Sequence, residues 1–144
     1  MGVISTAMGT WRTALATTPA SLSNIPQSGD INDPPDSDKT WFAVLMDLAG
    51  GGELQPEHGA GSLYGDMVGV RVVVDWMKDL DDEAHAGVIA DDIQNVQTTM
   101  LDESNKGTSV VLITPNGYSL EPKGTWTQGT IRYLVRFRVS ADLS

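Results

Sequence analysis

Thr130-Ile131-Arg132-Tyr133-Leu134-Val135-Arg136-Phe137-Arg138-Val139 alternates without a break. Ile131, Tyr133, Val135, Phe137 and Val139 fall on one side, and Thr130, Arg132, Leu134, Arg136 and Arg138 on the other. A period of two built from β-branched and aromatic residues is a strand with one buried face. Its second face carries three of the nine basic residues of an acidic chain. A core lies on one side of this strand, and a charged surface on the other.

Working outward, Val68 to Lys78 reads as a second strand, with Val70, Val72, Val74 and Trp76 on one face. Trp41 to Leu48 is a strand apolar on both faces apart from Asp47, ended by Gly50-Gly51-Gly52. No helix separates these two, which favours an antiparallel pair. Residues 3 to 18 carry Ile4, Met8, Trp11 and Leu15 at helical spacing, and Pro19 ends the pattern. A second helix, 82 to 101, places Ala86, Ile89, Ile93, Val96 and Met100 in one stripe. Asp79 or Asp81 is its expected N-cap, with Asp82 and Glu83 favourably placed for the helix dipole. Ser109 to Thr114 is a strand, Pro115-Asn116-Gly117 is a hairpin signal, and the chain re-enters the sheet between Tyr118 and Trp126, with Gly129 a bulge or bend. The expected fold is a single α+β domain over 1–144, with a four-stranded antiparallel or mixed sheet and two helices in the order α-β-β-α-β-β. Long loops fall at 19–40 and 49–67. Loops of that length are commonly functional.

Composition narrows the function. Apolar residues make up 40% of 144 residues, enough for a core. No stretch is long and apolar enough to span a bilayer. The N-terminus lacks the basic and apolar regions of a signal peptide, and Met1-Gly2 with Thr6 fits a myristoylation pattern only by coincidence, since no polybasic segment follows. The absence of cysteine excludes disulfides and thiol chemistry. A formal charge of −10 argues against a primary nucleic-acid binder, which needs a basic face. Acidic groups concentrate between Asp75 and Glu103, and the final strand is their basic counterweight. That asymmetry suits contact between different sides of identical copies.

The candidate chemical motifs do not hold. Gly59-Ala60-Gly61-Ser62-Leu63-Tyr64-Gly65 has its third glycine one position late for a dinucleotide loop and is followed by a strand, not by the helix N-terminus a phosphate needs. Asp30, Asn32, Asp33, Asp36 and Asp38 suggest calcium, but no register places Gly sixth and Glu twelfth as an EF-hand loop requires. His85 and His58 lack the partners of a zinc site or a catalytic base. Asp81-Asp82 and Asp91-Asp92 are sequence neighbours, which diverge by about 100° on a helix and make poor acid–base dyads. No catalytic residue, metal or cofactor is expected. Trp11, Trp41, Trp76, Tyr133 and Phe137 fit core packing. Trp126, between Thr125 and Thr127, is the aromatic expected to anchor a contact.

The chain resembles the tail terminator proteins of phages with long non-contractile tails. The resemblance rests on order and texture across nearly the whole chain. It comprises the helix Val3 to Thr18, the Trp41-to-Leu48 strand, Gly69-Val70-Arg71-Val72-Val73-Val74-Asp75 after a Gly-rich loop, the helix around Ile89-Ala90-Asp91-Asp92-Ile93-Gln94, and the closing arginine and aromatic strand. It implies a structural virion protein at the head–tail junction, made in the host cytoplasm. Such a protein forms a hexameric ring that caps the tail tube and meets the head connector or stopper, with DNA passing through the lumen unbound and no membrane involved. Other neck proteins, a soluble enzyme with a loop-built site, and a calcium-dependent binding module are the alternative readings. The interface residues expected from the sequence are Arg132, Arg136, Arg138, Trp126, Asp81, Asp82, Asp91 and Asp92. The arginines meet acidic groups of the 79–92 segment in a neighbouring copy, or acidic groups of their own chain.

Overall fold

A computed structural model describes residues 3–17, 41–47, 64–77, 81–108 and 110–138. The elements run α1 (Val3–Thr17), β1 (Trp41–Met46), β2 (Tyr64–Trp76), α2 (Glu83–Leu101), a short 3-10 turn (Glu103–Asn105), β3 (Val110–Pro122) and β4 (Thr127–Arg138). The four strands form one sheet in the order β1-β2-β4-β3, and every neighbouring pair is antiparallel. The fold is therefore α+β in the expected element order, and the sheet is antiparallel, not mixed. The calcium-like segment 30–38, His58 and the loop 19–40 lie outside the described residues. Of the 49–67 loop, residues 64–67 belong to β2, so the strand begins earlier than its valine run suggests.

The alternating segment is a central strand, β4, flanked by β2 and β3. Ile131, Tyr133, Val135 and Phe137 are all buried, together with Val70, Val72, Val74 and Trp76 of β2 and Phe42 and Val44 of β1. The two helices cover this face. From α1 come Trp11 and Leu15, with Ile4 and Met8 at its margin; from α2 come Ile89, Ile93, Val96 and Met100. Each fully buried aliphatic or Phe side chain contributes about 1.5–3 kcal/mol over exposure, so this single layer of side chains is the main stabilising element.

Helix α2 is fixed at its ends by two aspartates. Asp82, not Asp79 or Asp81, is the N-cap: its Oδ1 accepts from the backbone N–H of Ala84 and His85 at 2.9 and 3.1 Å. Asp102 ends the helix and opens the 3-10 turn by accepting from the backbone N–H of Ser104 at 2.9 Å. Both caps leave a carboxylate against unpaired amide donors, where a negative charge is favoured.

The C-terminal hairpin corrects the sequence reading. Pro115-Asn116-Gly117 is not its turn. β3 continues through that point to Pro122, and the chain reverses at Lys123-Gly124-Thr125-Trp126, closed by the Lys123 N–H donating to the Trp126 carbonyl at 2.8 Å. Between the pairs Pro115↔Tyr133 and Tyr118↔Ile131, β3 gains one residue over β4, so the Asn-Gly pair forms a bulge with Gly117 at φ 85°. A left-handed glycine serves a bulge as well as a turn. The choice falls to the bulge because Tyr118 and Leu120 can pair with Ile131 and Gly129 on the same strand.

Gly129 is not a bulge; it sits in regular register opposite Val74 and Leu120. A side chain there would meet the Trp76 ring at 2.7 Å and Leu120 at 3.1 Å. The glycine makes room for the indole of the neighbouring strand.

Candidate functional site

Two surfaces of opposite character lie on opposite sides of the sheet. The first is the face of the sheet turned away from the helices. Arg71 of β2 stands directly opposite Arg132 of β4 in the ladder. Like charges in that relationship repel unless a counter-charge intervenes. Asp47 supplies it. Its Oδ2 lies 3.7 Å from Arg132 Nε, with the Asp47 side chain 4% exposed and that of Arg132 33%. Arg132 also donates to Ser119 Oγ at 3.3 Å, and Arg71 Nε donates to the Met46 carbonyl at 3.0 Å. Farther along the same face, Asp75 accepts from Gln128 Nε2 at 2.9 Å and is buried. Two residues beyond Arg132, Leu134 is half-buried, and Arg136 follows with Leu112 of β3 directly opposite it. Leu112 is 52% exposed. The arginine face is thus an apolar pair, Leu112 and Leu134, set among arginines.

The second surface is the outer side of α2 and the cleft it forms with β3. Asp81, Asp82, Glu83, Asp91, Asp102 and Glu103 are exposed along or beside this helix. Between Asp79 and Asn105 the sequence contains no lysine or arginine. The cleft holds about 450 Å³ and is lined by Ala86, Ile89, Ala90, Ile93, Gln94, Gln97, Tyr118 and Leu120. Tyr118 is 57% exposed, an aromatic ring standing at the cleft mouth. The helix side of the cleft is held rigidly to the sheet by two hydrogen bonds. Trp76 Nε1 donates to Asp92 Oδ2 at 2.7 Å, and Tyr133 Oη donates to Gln97 Oε1 at 2.6 Å. Burial pushes the Tyr133 phenol well above its ordinary value, so it stays a donor.

The expected interface residues divide accordingly. Asp81, Asp82 and Asp91 are exposed, and Asp82 is also the helix cap. Asp92 is not on the surface: it is 2% exposed and occupied with the Trp76 indole, which rules it out as a contact group. Helical phase explains the error, since Asp92 lies in line with Ile89 and Val96 on the buried stripe. Trp126 is 6% exposed, with the Lys123 ammonium 5.9 Å from its ring centroid, and it packs within its own hairpin. Trp41 also departs from the core reading, since it alternates with core-facing Phe42 and is half-buried on the other face of the sheet. Arg132 has an intramolecular partner, Asp47. The side chain of Arg138 lies outside the described residues.

Sequence reasoning missed Arg71, Leu112 and Tyr118. Arg71 was within reach, because alternation with Val70 and Val72 places it on the arginine face. Leu112 and Tyr118 were not, because each lies beside a register shift that resets the alternation of β3. Among the described residues, no three His, Asp or Glu side chains converge as metal ligands. No helix among them is long and apolar enough to cross a membrane.

Compared with known proteins, the chain matches no family model and no curated protein sequence.

Proposed function

We propose that the chain is a structural protein of a phage tail, a tail terminator whose copies close into a six-membered ring on the tail tube and present the other side of the ring to the head connector. The observation that carries this reading is the contrast between an acidic outer side of α2 and a sheet face on which arginines stand beside the carboxylates Asp47 and Asp75. The outer side of α2 is acidic, and the opposite sheet face displays Arg71, Arg132 and Arg136. A chain of net charge −10 repels its own copies unless contacts pair unlike faces. Two different, complementary patches on each copy make a heterologous contact, and such contacts close into rings when the rotation between copies permits. The order of elements and the arginine-bearing terminal strand agree with the same family. An acidic ring would let DNA pass without retention.

Electron microscopy of the purified protein, alone and mixed with tail tubes, tests the proposal. Six-fold rings at one tube end are expected. A protein that stays monomeric under both conditions, or a ring that binds DNA tightly and in a salt-sensitive manner, overturns it.

A further inference from the structure

We infer that the contact between successive copies is a knob-in-cleft insertion: Leu112 and Leu134 of one copy, flanked by Arg132 and Arg136, seat in the cleft between α2 and Tyr118 of the next. This inference rests on the ring reading and names its interface. The two halves fit in chemistry. The cleft floor is apolar, formed by Ile89, Ile93 and Leu120, and Ala90 leaves its mouth open. Glu83 lies seven residues before Ala90, on the same side of α2, and brings one carboxylate toward the end of the cleft, while Gln94 and Gln97 line its helix side. An apolar tip with a cation beside it matches that floor and that carboxylate. Among the described residues, the patch around Leu112 has that character: an apolar side chain half exposed, Leu134 one register step away, and arginines alongside.

The two surfaces lie on opposite faces of the sheet, so one copy cannot satisfy itself. Leu112 and Leu134 pair in register with Arg136 and Thr114, on the face away from the helices, whereas Tyr118 and Leu120 pair with Ile131 and Gly129, on the helix-covered face. Direct addition of a strand to β3, an edge strand among the described residues, is a poorer contact. Pro115 and Pro122 lack N–H donors, and the bulge at Asn116-Gly117 breaks the edge between them. Side-chain docking across the two faces of β3 needs no continuous edge.

The test uses three variants, each placed at an exposed position or paired with one. Leu112→Glu removes the knob, and Ala90→Arg fills and recharges the cleft. Each variant, shown to be folded by its thermal melt, is expected to lose assembly by light scattering coupled to size exclusion. Mixed in equal amounts, the two should recover dimers and nothing larger, because only one intact knob and one intact cleft remain per pair. The third variant, Leu112→Cys with Ala90→Cys, exploits a chain without native cysteine and should give a ladder of cross-linked copies on oxidation. Rings that persist in both single variants, with no cross-linking, overturn the interface and leave the ring reading standing. Assembly lost in only one single variant, or tube attachment lost while rings persist, likewise overturns it. A wild-type protein that is monomeric with and without tubes overturns both.

Discussion

The indole N–H of Trp76 donates to the carboxylate of Asp92 at 2.7 Å, in the buried seam between β2 and α2. This bond joins the strand that centres the sheet to the helix that forms one wall of the cleft. Removing either partner leaves a buried polar group without its mate, which costs about 1–3 kcal/mol. Trp76→Phe and Asp92→Leu should each lower the urea midpoint accordingly. The double variant should lose less than the sum, because the two groups no longer need one another. Strict additivity in unfolding experiments would show that the bond contributes nothing of its own.

Two glycine substitutions should act in opposite directions. In Gly129→Ala the added carbon lies 2.7 Å from the fully buried Trp76 ring, which cannot retreat. Overpacking of this kind costs about 1–3 kcal/mol. Gly87→Ala lies within α2 with nothing within 4 Å of the new carbon. It should gain about 0.5–1 kcal/mol from helix propensity. Thermal melts of the two variants check both signs.

The Asp47–Arg132 pair should be asymmetric. Arg132→Met leaves the Asp47 carboxylate almost fully buried without its cation, whereas Asp47→Asn leaves an arginine that is one-third exposed and can rehydrate. The loss should be about 2–4 kcal/mol for Arg132→Met and smaller for Asp47→Asn, since the deeply buried carboxylate is the costlier charge to deprive of an ion-pair partner. Equal losses in denaturant titrations would contradict the geometry.

Acid should weaken both ends of α2. The backbone N–H of His85, then the His85 charge, hold the Asp82 carboxyl below its ordinary value of 3.8. The backbone N–H of Ser104, then its hydroxyl, do the same for Asp102. A depressed carboxyl stabilises the fold fully above its unfolded value and loses that contribution as pH falls through its folded value. Asp82→Ala should therefore lower the melting temperature by a few degrees at neutral pH. The gap from wild type should narrow as pH drops below the ordinary carboxylate range. A gap independent of pH would assign the cap's effect to something other than its charge.

Which readings survived follows a physical pattern. Helix α1, the valine face of β2 and the buried face of β4 all repeat one strong period over many residues; burial follows the period directly in β4, whereas β2 over 68–76 is buried on both faces except at Arg71. The readings that failed depended on a single residue whose partner is distant in sequence. Asp92 reads as half of an exposed acidic pair until Trp76 is placed beside it. Gly129 reads as a bend until the Trp76 ring is found above it. The Asn-Gly pair reads as a turn until residues beyond it are seen to pair with the strand already used.

The sequence by itself determined the element order, the apolar layer and the charge asymmetry, because these depend on periodicity and composition along the chain. Only the tertiary structure decided that the arginine face includes Arg71 opposed to Arg132, that Leu112 and Leu134 stand among those arginines, and that Tyr118 and α2 enclose a cleft on the other face. Strand order and register set these neighbours, and register comes from contacts between segments far apart in the chain, which no local pattern records.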